Sequence, residues 1–306
     1  MTAYASRSVL SVPGSRSDMI EKALRSEADI VFIDLEDAVV PEMKVIARQH
    51  AVAALNEAEW RGRPRAIRVN SLDSPYFYRD LIDVVEAAGN ALDLVIVPKV
   101  GSAQDIYLVA TLLGQIEMVI GKREPIRLHA QIETAHGVLS CRDIASASNR
   151  LDALAFGPGD YAASVSMPST AIGVRDTWDH LYPGDRLGYA MHQILMAGRA
   201  AGIQVIDGPY ADFRDQDGLR AACLRARALG YDGKWCIHPA QIAVVNEVFT
   251  PRPAEVQWAQ ETLSAYERSR MGGQGAFALG STMVDAASVR MAERVLARAR
   301  ATGLIE

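Results

Sequence analysis

The chain has 306 residues, of which 49% are hydrophobic and 23% are charged, and its formal net charge is −5. This composition excludes a disordered chain or a polycation, so we expect no nucleic-acid partner. The sequence predicts neither a signal peptide nor a membrane span. Its three cysteines, Cys141, Cys223 and Cys236, lack CxxC spacing, which favours a reducing, cytoplasmic environment over disulfides or a zinc site.

Short apolar, β-branched runs recur along the chain and are separated by longer amphipathic stretches. Buried strands that alternate with helices are typical of a parallel sheet covered on both faces. Eight such units in about 240 residues match the size of a (β/α)8 TIM barrel. A doubly wound open sheet is the alternative, but no glycine-rich dinucleotide turn follows the first run. The runs lie at 8–12, 30–35, 66–70, 94–100, 127–133, 151–157, 203–208 and 234–239.

The segments between and after these runs carry further signals. Asp18 and Glu21 stand at capping-box spacing and predict a helix cap at Asp18. Residues 165–186 form the longest insertion in the barrel and could cover its mouth. A proline-bounded break at 249–253 predicts a barrel domain over 1–250 and a C-terminal segment over 251–306. That segment is too short for a comfortable independent core, so we expect it to pack on a barrel.

Charged residues follow the predicted strands, whose C-terminal ends meet at one catalytic face of such a barrel. Glu133 and Asp160 end adjacent strands, which lie about 4.8 Å apart. Two carboxylates so close repel each other unless a cation or a proton lies between them. Oxygen ligands of this kind suit Mg²⁺ better than zinc, although Asp160 could instead cap a helix. The residues at these strand ends are Asp34, Glu36, Asp37, Arg68, Lys99, Glu133, Asp160, Asp207 and His238.

Three of these residues are open to more than one interpretation. Arg68 has apolar neighbours on its strand, so its guanidinium is predicted to project into the mouth, where it suits a substrate carboxylate. A structural ion pair with an acid such as Glu36 is the alternative. Lys99 is a weaker candidate, as a Schiff-base nucleophile, because nothing adjacent would lower its pKa. His238 is interpreted as a structural histidine at a strand end.

Short motifs along the chain occur together, and in this order, in one family. Each is weakly diagnostic alone, but the ordered set is specific. On these motifs the chain resembles the citrate lyase β-subunit-like lyases of the HpcH/HpaI aldolase superfamily, and most of all the malyl-CoA, β-methylmalyl-CoA and citramalyl-CoA lyases. The motifs are VPGSR, DLEDAV, IRVN, VIVPKV, IETAHG, FGPGDYAAS, DGPYADF, GKWCIHPAQI and VNEVFTP.

The resemblance implies a TIM barrel with a C-terminal lid, assembled as homotrimers or homohexamers. It implies reversible cleavage of a 3-hydroxyacyl-CoA into acetyl- or propionyl-CoA and glyoxylate, with Mg²⁺ or a substituting Mn²⁺. The lid would reach a neighbouring subunit through a mobile connection at 272–280. The implied site residues are Glu133 and Asp160 for the metal, Arg68 for the 2-oxo acid carboxylate, Glu36 and Asp37 for metal-bound water, Arg16 and Gly159 for the CoA substrate, and Asp285 as the acid/base.

Four other functions stay open at this point. A citramalyl-CoA lyase would release pyruvate, which differs from glyoxylate by one methyl group, and a pocket discriminates such a difference by only about 1–3 kcal/mol. A citrate lyase β subunit would act on a carrier-bound thioester. A malyl-CoA thioesterase would release free CoA, and a non-catalytic member would bind CoA without turnover.

Overall fold

A computed structural model describes residues 4–182, 184–271, 276–279 and 282–305. Eight parallel strands, each paired with the next and the last with the first, form a closed barrel. This confirms the predicted (β/α)8 TIM barrel and rules out the open sheet. The strands are β1 (Ser8–Pro13), β2 (Ile30–Asp34), β3 (Arg65–Arg68), β4 (Leu94–Val97), β5 (Arg127–Ile132), β6 (Leu151–Phe156), β7 (Gln204–Asp207) and β8 (Gly233–Cys236).

Helices alternate with the barrel strands, and two of them separate β6 from β7. Short 3₁₀ helices lie at Pro41–Met43, Thr177–His180 and Pro239–Gln241. The α-helices within the described residues are α1 (Ser17–Leu24), α2 (Lys44–Glu57), α3 (Phe77–Ala88), α4 (Ala103–Ile120), α5 (Ala135–Ala145), α6 (Pro158–Ser164), α7 (Gly188–Ala201), α8 (Gln216–Leu229), α9 (Ile242–Phe249), α10 (Pro253–Met271) and α11 (Ala286–Ala301).

The strands are covered on both faces, by helices outside and by side chains inside. Every residue of β2 and β6 is buried, which explains why these strands read as continuous apolar runs. The rings of Phe32 on β2 and Trp235 on β8 lie 4.8 Å apart between centroids. Because these strands are separated by β1, the two rings meet across the barrel interior and fill it.

The start of the first helix differs from the prediction. The helix begins at Ser17 and follows Arg16, with no side-chain cap, so the predicted cap at Asp18 is wrong. A preceding turn sets this boundary, since the Arg16 amide donates to the Pro13 carbonyl at 3.1 Å and Ile20 continues the helix to Arg16. Asp18 lies in the first turn instead, where a negative charge is favourable at a helix N-terminus.

The chain divides into two compact units, residues 6–246 and 247–306. In the second unit, α10 and α11 pack on each other, and a hairpin of β9 (Phe277–Leu279) and β10 (Thr282–Val284) precedes α11. The hairpin occupies a stretch interpreted from sequence as a connection. Residues 272–275 and 280–281 of that connection lie outside the described residues. The buried core of this unit consists of Val256, Ala259, Ala292, Leu296 and Ala299.

One helix among the described residues, α4, is long and apolar enough to cross a membrane by length and composition alone. Its place between β4 and β5 is that of a barrel helix. One face is buried through residues such as Ile106, Val109 and Leu113. Its other face leaves four large apolar side chains exposed: Tyr107, Leu108, Met118 and Val119.

Candidate active site

The predicted mouth is built around Arg68, which ends β3 opposite Asp34 in the β2 register. Arg68 Nε and Nη2 donate to the two Asp34 carboxylate oxygens at 2.8 and 2.6 Å. Burial would raise the pKa of Asp34, but the charge and hydrogen bonds of Arg68 outweigh it and hold that pKa below its usual value. One edge of the guanidinium is therefore held in a structural ion pair, with Asp34 as the partner.

The other edge of the Arg68 guanidinium faces the mouth. Nη1 donates to Gln131 Oε1 at 3.3 Å. It also lies 3.0 Å from Glu36 Oε2, without the alignment of a hydrogen bond, so within the described residues this buried oxygen has an ionic neighbour but no donor. The rings of Trp235 and Phe32 lie 5.4 and 5.8 Å from the guanidinium carbon, a cation–π arrangement that fixes its plane.

Lys99, just after β4, joins the two acidic sides of the mouth. Its ammonium lies 2.5 Å from Glu36 and 3.3 Å from Asp37, and its backbone amide donates to Glu133 Oε1 at 2.8 Å. Burial would lower the pKa of Lys99, but these carboxylates outweigh burial and raise it. The lysine is therefore charged and unsuited to a Schiff base. Its φ of 51° is left-handed, which costs on the order of 1–2 kcal/mol in a non-glycine residue.

Glu133, just after β5, is a carboxylate in unfavourable surroundings. It is only 1% exposed and accepts hydrogen bonds from the Lys99 amide and from Gln131 Nε2. Burial, together with the negative charges of Asp160 and Glu36, raises the pKa of Glu133 to about 8. The repulsion expected from neighbouring strand ends is therefore present.

Asp160 lies in the first turn of α6, and the residue that caps this helix is Gly157. The alternative that Asp160 is only a helix cap is therefore wrong. Gly157 is required by space: a Cβ there would overlap the carboxylate oxygen Oε2 and the Cβ of Glu133. At Gly159 a Cβ would lie 3.0 Å from Ile172, which belongs to the insertion at 165–186. The backbone at Gly157 therefore lies close to Glu133, and the backbone at Gly159 lies close to Ile172.

The residues present fit a magnesium ion. Glu133 and Asp160 are hard oxygen donors, and burial together with the negative charges of Asp160 and Glu36 raises the pKa of Glu133, so a bound cation would favour its ionised form. Among the described residues, no group of three or more His, Cys, Asp or Glu side chains forms a complete metal cage. Mg²⁺ is commonly held by one or two carboxylates with water and substrate oxygens completing its shell, so a two-carboxylate set suits it.

Two other residues expected at the mouth, Asp207 and His238, are engaged in contacts of their own. Asp207 forms a buried ion pair with Lys234 at 2.5 Å. Trp235 faces the barrel interior, so the adjacent Lys234 faces the helix layer, and Asp207 is neutralised there rather than in the mouth. His238 accepts a hydrogen bond from a backbone amide at 3.1 Å and stacks on Phe213 at 4.5 Å, which agrees with the structural role predicted for it.

The two remaining predicted site residues lie near helix starts. Arg16 follows β1, is largely exposed, and donates to Asp18 at 2.9 and 3.0 Å. Asp285, in the second unit, caps α11 by accepting hydrogen bonds from the amides of Ala287 and Ser288 at 2.9 and 3.0 Å. The hydrogen bond from Ser288 is the main cause that lowers the pKa of Asp285.

Sequence reasoning missed the polar residues that support the acids of the mouth. Gln131 bridges Arg68 and Glu133, and its position two residues before Glu133 on β5 is a signal that strand alternation could have supplied. Lys44 and Asn70 lie buried behind Glu36. Lys44 begins a helix and reads as an ordinary surface lysine, so nothing in the sequence distinguishes it.

A (β/α)8 barrel with paired carboxylates and a guanidinium at its C-terminal mouth has the architecture of a barrel enzyme. The chain belongs to the HpcH/HpaI aldolase/citrate lyase family, whose model matches residues 7–239, and it is a lyase. This confirms the family predicted from the ordered motifs.

Three known proteins illustrate the likeness. An L-malyl-CoA/β-methylmalyl-CoA lyase of Cereibacter sphaeroides is 41% identical over 293 residues, 94% of this chain and 92% of the relative. A (3S)-malyl-CoA thioesterase of the same species is 37% identical over 299 residues, 98% and 96% of the two chains. The structure of CitE from Mycobacterium tuberculosis with magnesium, acetoacetate and coenzyme A matches with a TM-score of 0.77 and 27% identity, over 98% of this chain and 100% of that chain.

Proposed function

We propose that the chain is a Mg²⁺-dependent lyase that reversibly cleaves L-malyl-CoA or β-methylmalyl-CoA into glyoxylate and acetyl- or propionyl-CoA. The observation that carries this is the buried Glu133 carboxylate, repelled by Asp160, at the same mouth as the Arg68 guanidinium. The likeness to the malyl-CoA/β-methylmalyl-CoA lyase supports the substrate class.

In this proposal Glu133 and Asp160 hold the metal, and Mn²⁺ can replace Mg²⁺. When bound, the ion supplies Lewis-acid stabilisation of the charge that develops on oxygen during carbon–carbon cleavage. The Nη1 edge of Arg68 orients the carboxylate of the 2-oxo acid, while Asp34 keeps the opposite edge fixed. A guanidinium held on one side in this way is pre-oriented for bidentate contact.

Glu36 and Asp37, which follow β2, position water and substrate in this proposal and do not bind the metal directly. Glu36 and Asp37 are fixed by the Lys99 ammonium and are available to accept hydrogen bonds from water at the mouth. Arg16 offers an exposed guanidinium to the phosphates of coenzyme A. We assign Gly159, next to Asp160, to substrate binding; it carries no side chain and its backbone lies close to Ile172 of the insertion at 165–186.

We assign proton transfer at the acyl-CoA carbon to Asp285, delivered by the 251–306 lid of a neighbouring subunit. An aspartate is ionised at neutral pH, as a base must be to remove that proton in the condensation direction. In the cleavage direction the substrate hydroxyl gives its proton to water at the mouth, while the carboxylic acid form of Asp285 gives a proton to the enolate carbon and regains one from solvent.

A lid shared between subunits requires an oligomer, and we propose a cytoplasmic homotrimer or homohexamer. Four large apolar side chains exposed on α4 (Tyr107, Leu108, Met118 and Val119) support this, because clustered exposed apolar side chains commonly mark protein interfaces. Light scattering on the purified protein measures the subunit number, and a monomer would contradict the shared lid.

A second candidate function is hydrolysis of malyl-CoA to malate and free CoA. It is favoured by the 37% identity to a (3S)-malyl-CoA thioesterase. The two reactions leave different products: the lyase forms glyoxylate and keeps the thioester, whereas the thioesterase frees the thiol.

One assay separates these functions. Purified protein is incubated with L-malyl-CoA and Mg²⁺, with glyoxylate followed as its phenylhydrazone and free thiol by a disulfide reagent. We expect glyoxylate without an equal release of thiol, loss of turnover with a chelator, and condensation of acetyl- or propionyl-CoA with glyoxylate. Preference for pyruvate in condensation would indicate a citramalyl-CoA lyase. Thiol without glyoxylate would establish the thioesterase, and no turnover of any hydroxyacyl-CoA would overturn both.

A further inference from the structure

Lys44, the first residue of α2, is a buried lysine behind the acidic mouth. It is 6% exposed, and its ammonium donates to the carbonyls of Leu35 and Glu36 at 2.7 and 2.8 Å and to Asn70 Oδ1 at 2.6 Å. A lysine has three donors, and all three are used. Every acceptor is a neutral oxygen, so within the described residues this ammonium makes no direct ion pair.

Asn70 links Lys44 to the neighbouring helix α3. Its amide nitrogen donates to the Leu35 carbonyl at 2.8 Å and to Asp80 Oδ2 at 2.5 Å, and its backbone amide donates to the same Asp80 oxygen at 2.8 Å. Asp80 is anchored by Arg48 at 3.0 Å. The chain after β2 is therefore held by side chains from α2, from the end of β3 and from α3.

The two carbonyls bound by Lys44 flank the backbone of Glu36. Fixing both peptide planes fixes the direction in which the Glu36 side chain leaves the backbone, and that side chain contacts Lys99 at 2.5 Å and Arg68 at 3.0 Å. Burying an ammonium is costly. Burial accordingly lowers the pKa of Lys44, and the negative charges of Asp80, Asp34 and Glu36 oppose this lowering.

We propose that Lys44 is a positioning residue: it fixes the direction of the Glu36 side chain, and through Glu36 the positions of the Arg68 and Lys99 side chains at the mouth. This inference rests on the proposed lyase function. Lys44 touches no substrate in this scheme, so its loss should lower kcat while leaving the KM for the CoA ester nearly unchanged. A small displacement of positioned groups costs up to about 100-fold in rate.

Three variants of the full-length protein test this role. Lys44→Met removes the charge and the donors, and Lys44→Gln keeps two donors without the charge. Arg48→Met is the matched control, since it removes a cation from the same helix and network but does not touch the Leu35 and Glu36 carbonyls. We expect kcat to fall by about 10- to 100-fold in Lys44→Met and less in Lys44→Gln, with KM within about twofold. Arg48→Met should keep kcat within about threefold while its melting temperature falls.

A second readout does not depend on turnover. The Glu36 amide donates to Asp34 at 2.9 Å, and the Val39 amide donates to the Glu36 carbonyl at 3.0 Å. Hydrogen exchange in a peptide covering 34–40 should accelerate in Lys44→Met and not in Arg48→Met. Unchanged exchange in Lys44→Met, or an equal loss of kcat in both variants, would overturn the positioning role. If the wild type turns over no hydroxyacyl-CoA, the proposed function fails, and exchange alone decides whether Lys44 positions Glu36.

Discussion

Glu133 is a residue whose surroundings oppose its negative charge. It is buried, it faces Asp160 and Glu36, and it accepts a hydrogen bond from Lys99, a residue whose backbone is left-handed. The strained backbone of Lys99 and the unfavourable charge of Glu133 are therefore adjacent, which is common at sites where a bound ligand stabilises both. Stability alone would favour a neutral side chain at this position.

Replacing Glu133 by the isosteric glutamine tests its metal role. We expect Mg²⁺ affinity, measured by calorimetry, to fall, and turnover to fall by about 10²- to 10³-fold, because several kcal/mol of charge stabilisation depends on the ion. The melting temperature should hold or rise, since a buried, repelled carboxylate is removed. Glu124→Gln, at an exposed position in the turn before β5, should behave like the wild type. Undiminished Mg²⁺-dependent cleavage in Glu133→Gln would refute the assignment.

Asp285 caps α11 and is also our proposed acid/base, and two substitutions separate these functions. Asparagine caps a helix about as well as aspartate but transfers no proton, whereas alanine loses the cap as well, at about 0.5–2 kcal/mol. We therefore expect Asp285→Asn and Asp285→Ala to lose turnover alike, by about 10²- to 10⁴-fold. Only Asp285→Ala should lower the melting temperature. Both should still bind Mg²⁺ and glyoxylate, and wild-type turnover in Asp285→Asn would contradict the role.

At the scale of elements, the strands could be predicted from sequence because they are buried on both faces and stand out as apolar runs. The C-terminal ends of the strands were harder to predict: β3 ends at Arg68 and β4 ends at Val97, before the ends of the predicted runs. The start of α1 was missed because a backbone turn after β1 sets it and no side chain caps it. The β9–β10 hairpin was missed because its glycine-rich surroundings resemble a plain connection.

The insertion at 165–186 is held in shape by Arg186. This guanidinium donates to Asp176 at 2.9 Å, to Asp179 at 3.2 Å and to the Pro168 carbonyl at 2.6 Å. We expect Arg186→Met to increase the rate of limited proteolysis within 165–186 several-fold, because three anchors in the segment are released together. The urea midpoint of the barrel should change little.

Arg175 supplies the control for this experiment, since it is an exposed arginine in the same segment. Arg175→Met should be cleaved at the wild-type rate. Equal protease sensitivity of the wild type and Arg186→Met would show that the ion pairs do not order the segment.

At the scale of the whole molecule, strand order alone predicted which residues approach one another, because parallel strands deliver their C-terminal ends to one face. The sequence could not predict which charged side chains would form ion pairs with one another at that face. Asp34 takes one edge of Arg68, and Lys234 removes Asp207 from the mouth. These choices depend on which way each side chain leaves its strand and on residues such as Lys44 that arrive from helices, so spacing along the chain does not encode them.

Burial of His129 makes the stability of the fold depend on pH. Burial lowers the pKa of His129 to about 4, whereas a histidine in an unfolded chain titrates near 6.5. Between these values the unfolded state binds the extra proton, so stability is lost as pH falls below about 6.5, and the full loss near pH 4 is roughly 3 kcal/mol.

Urea midpoints at pH 7.5 and pH 5 measure this contribution. The wild type should lose more stability between the two values than His129→Gln, by roughly 2 kcal/mol. His192→Gln, at an exposed position, should follow the wild type. Parallel pH profiles for the wild type and His129→Gln would contradict the assignment.

The close approach of Glu133 to Gly157 limits how this protein can change by substitution. Any side chain added at Gly157 would meet the carboxylate and the Cβ of Glu133. The two positions can therefore only be altered together, or in a fixed order in which position 133 shrinks first. A substitution at position 157 alone would clash with Glu133. A library intended to move the metal should therefore randomise positions 133 and 157 together.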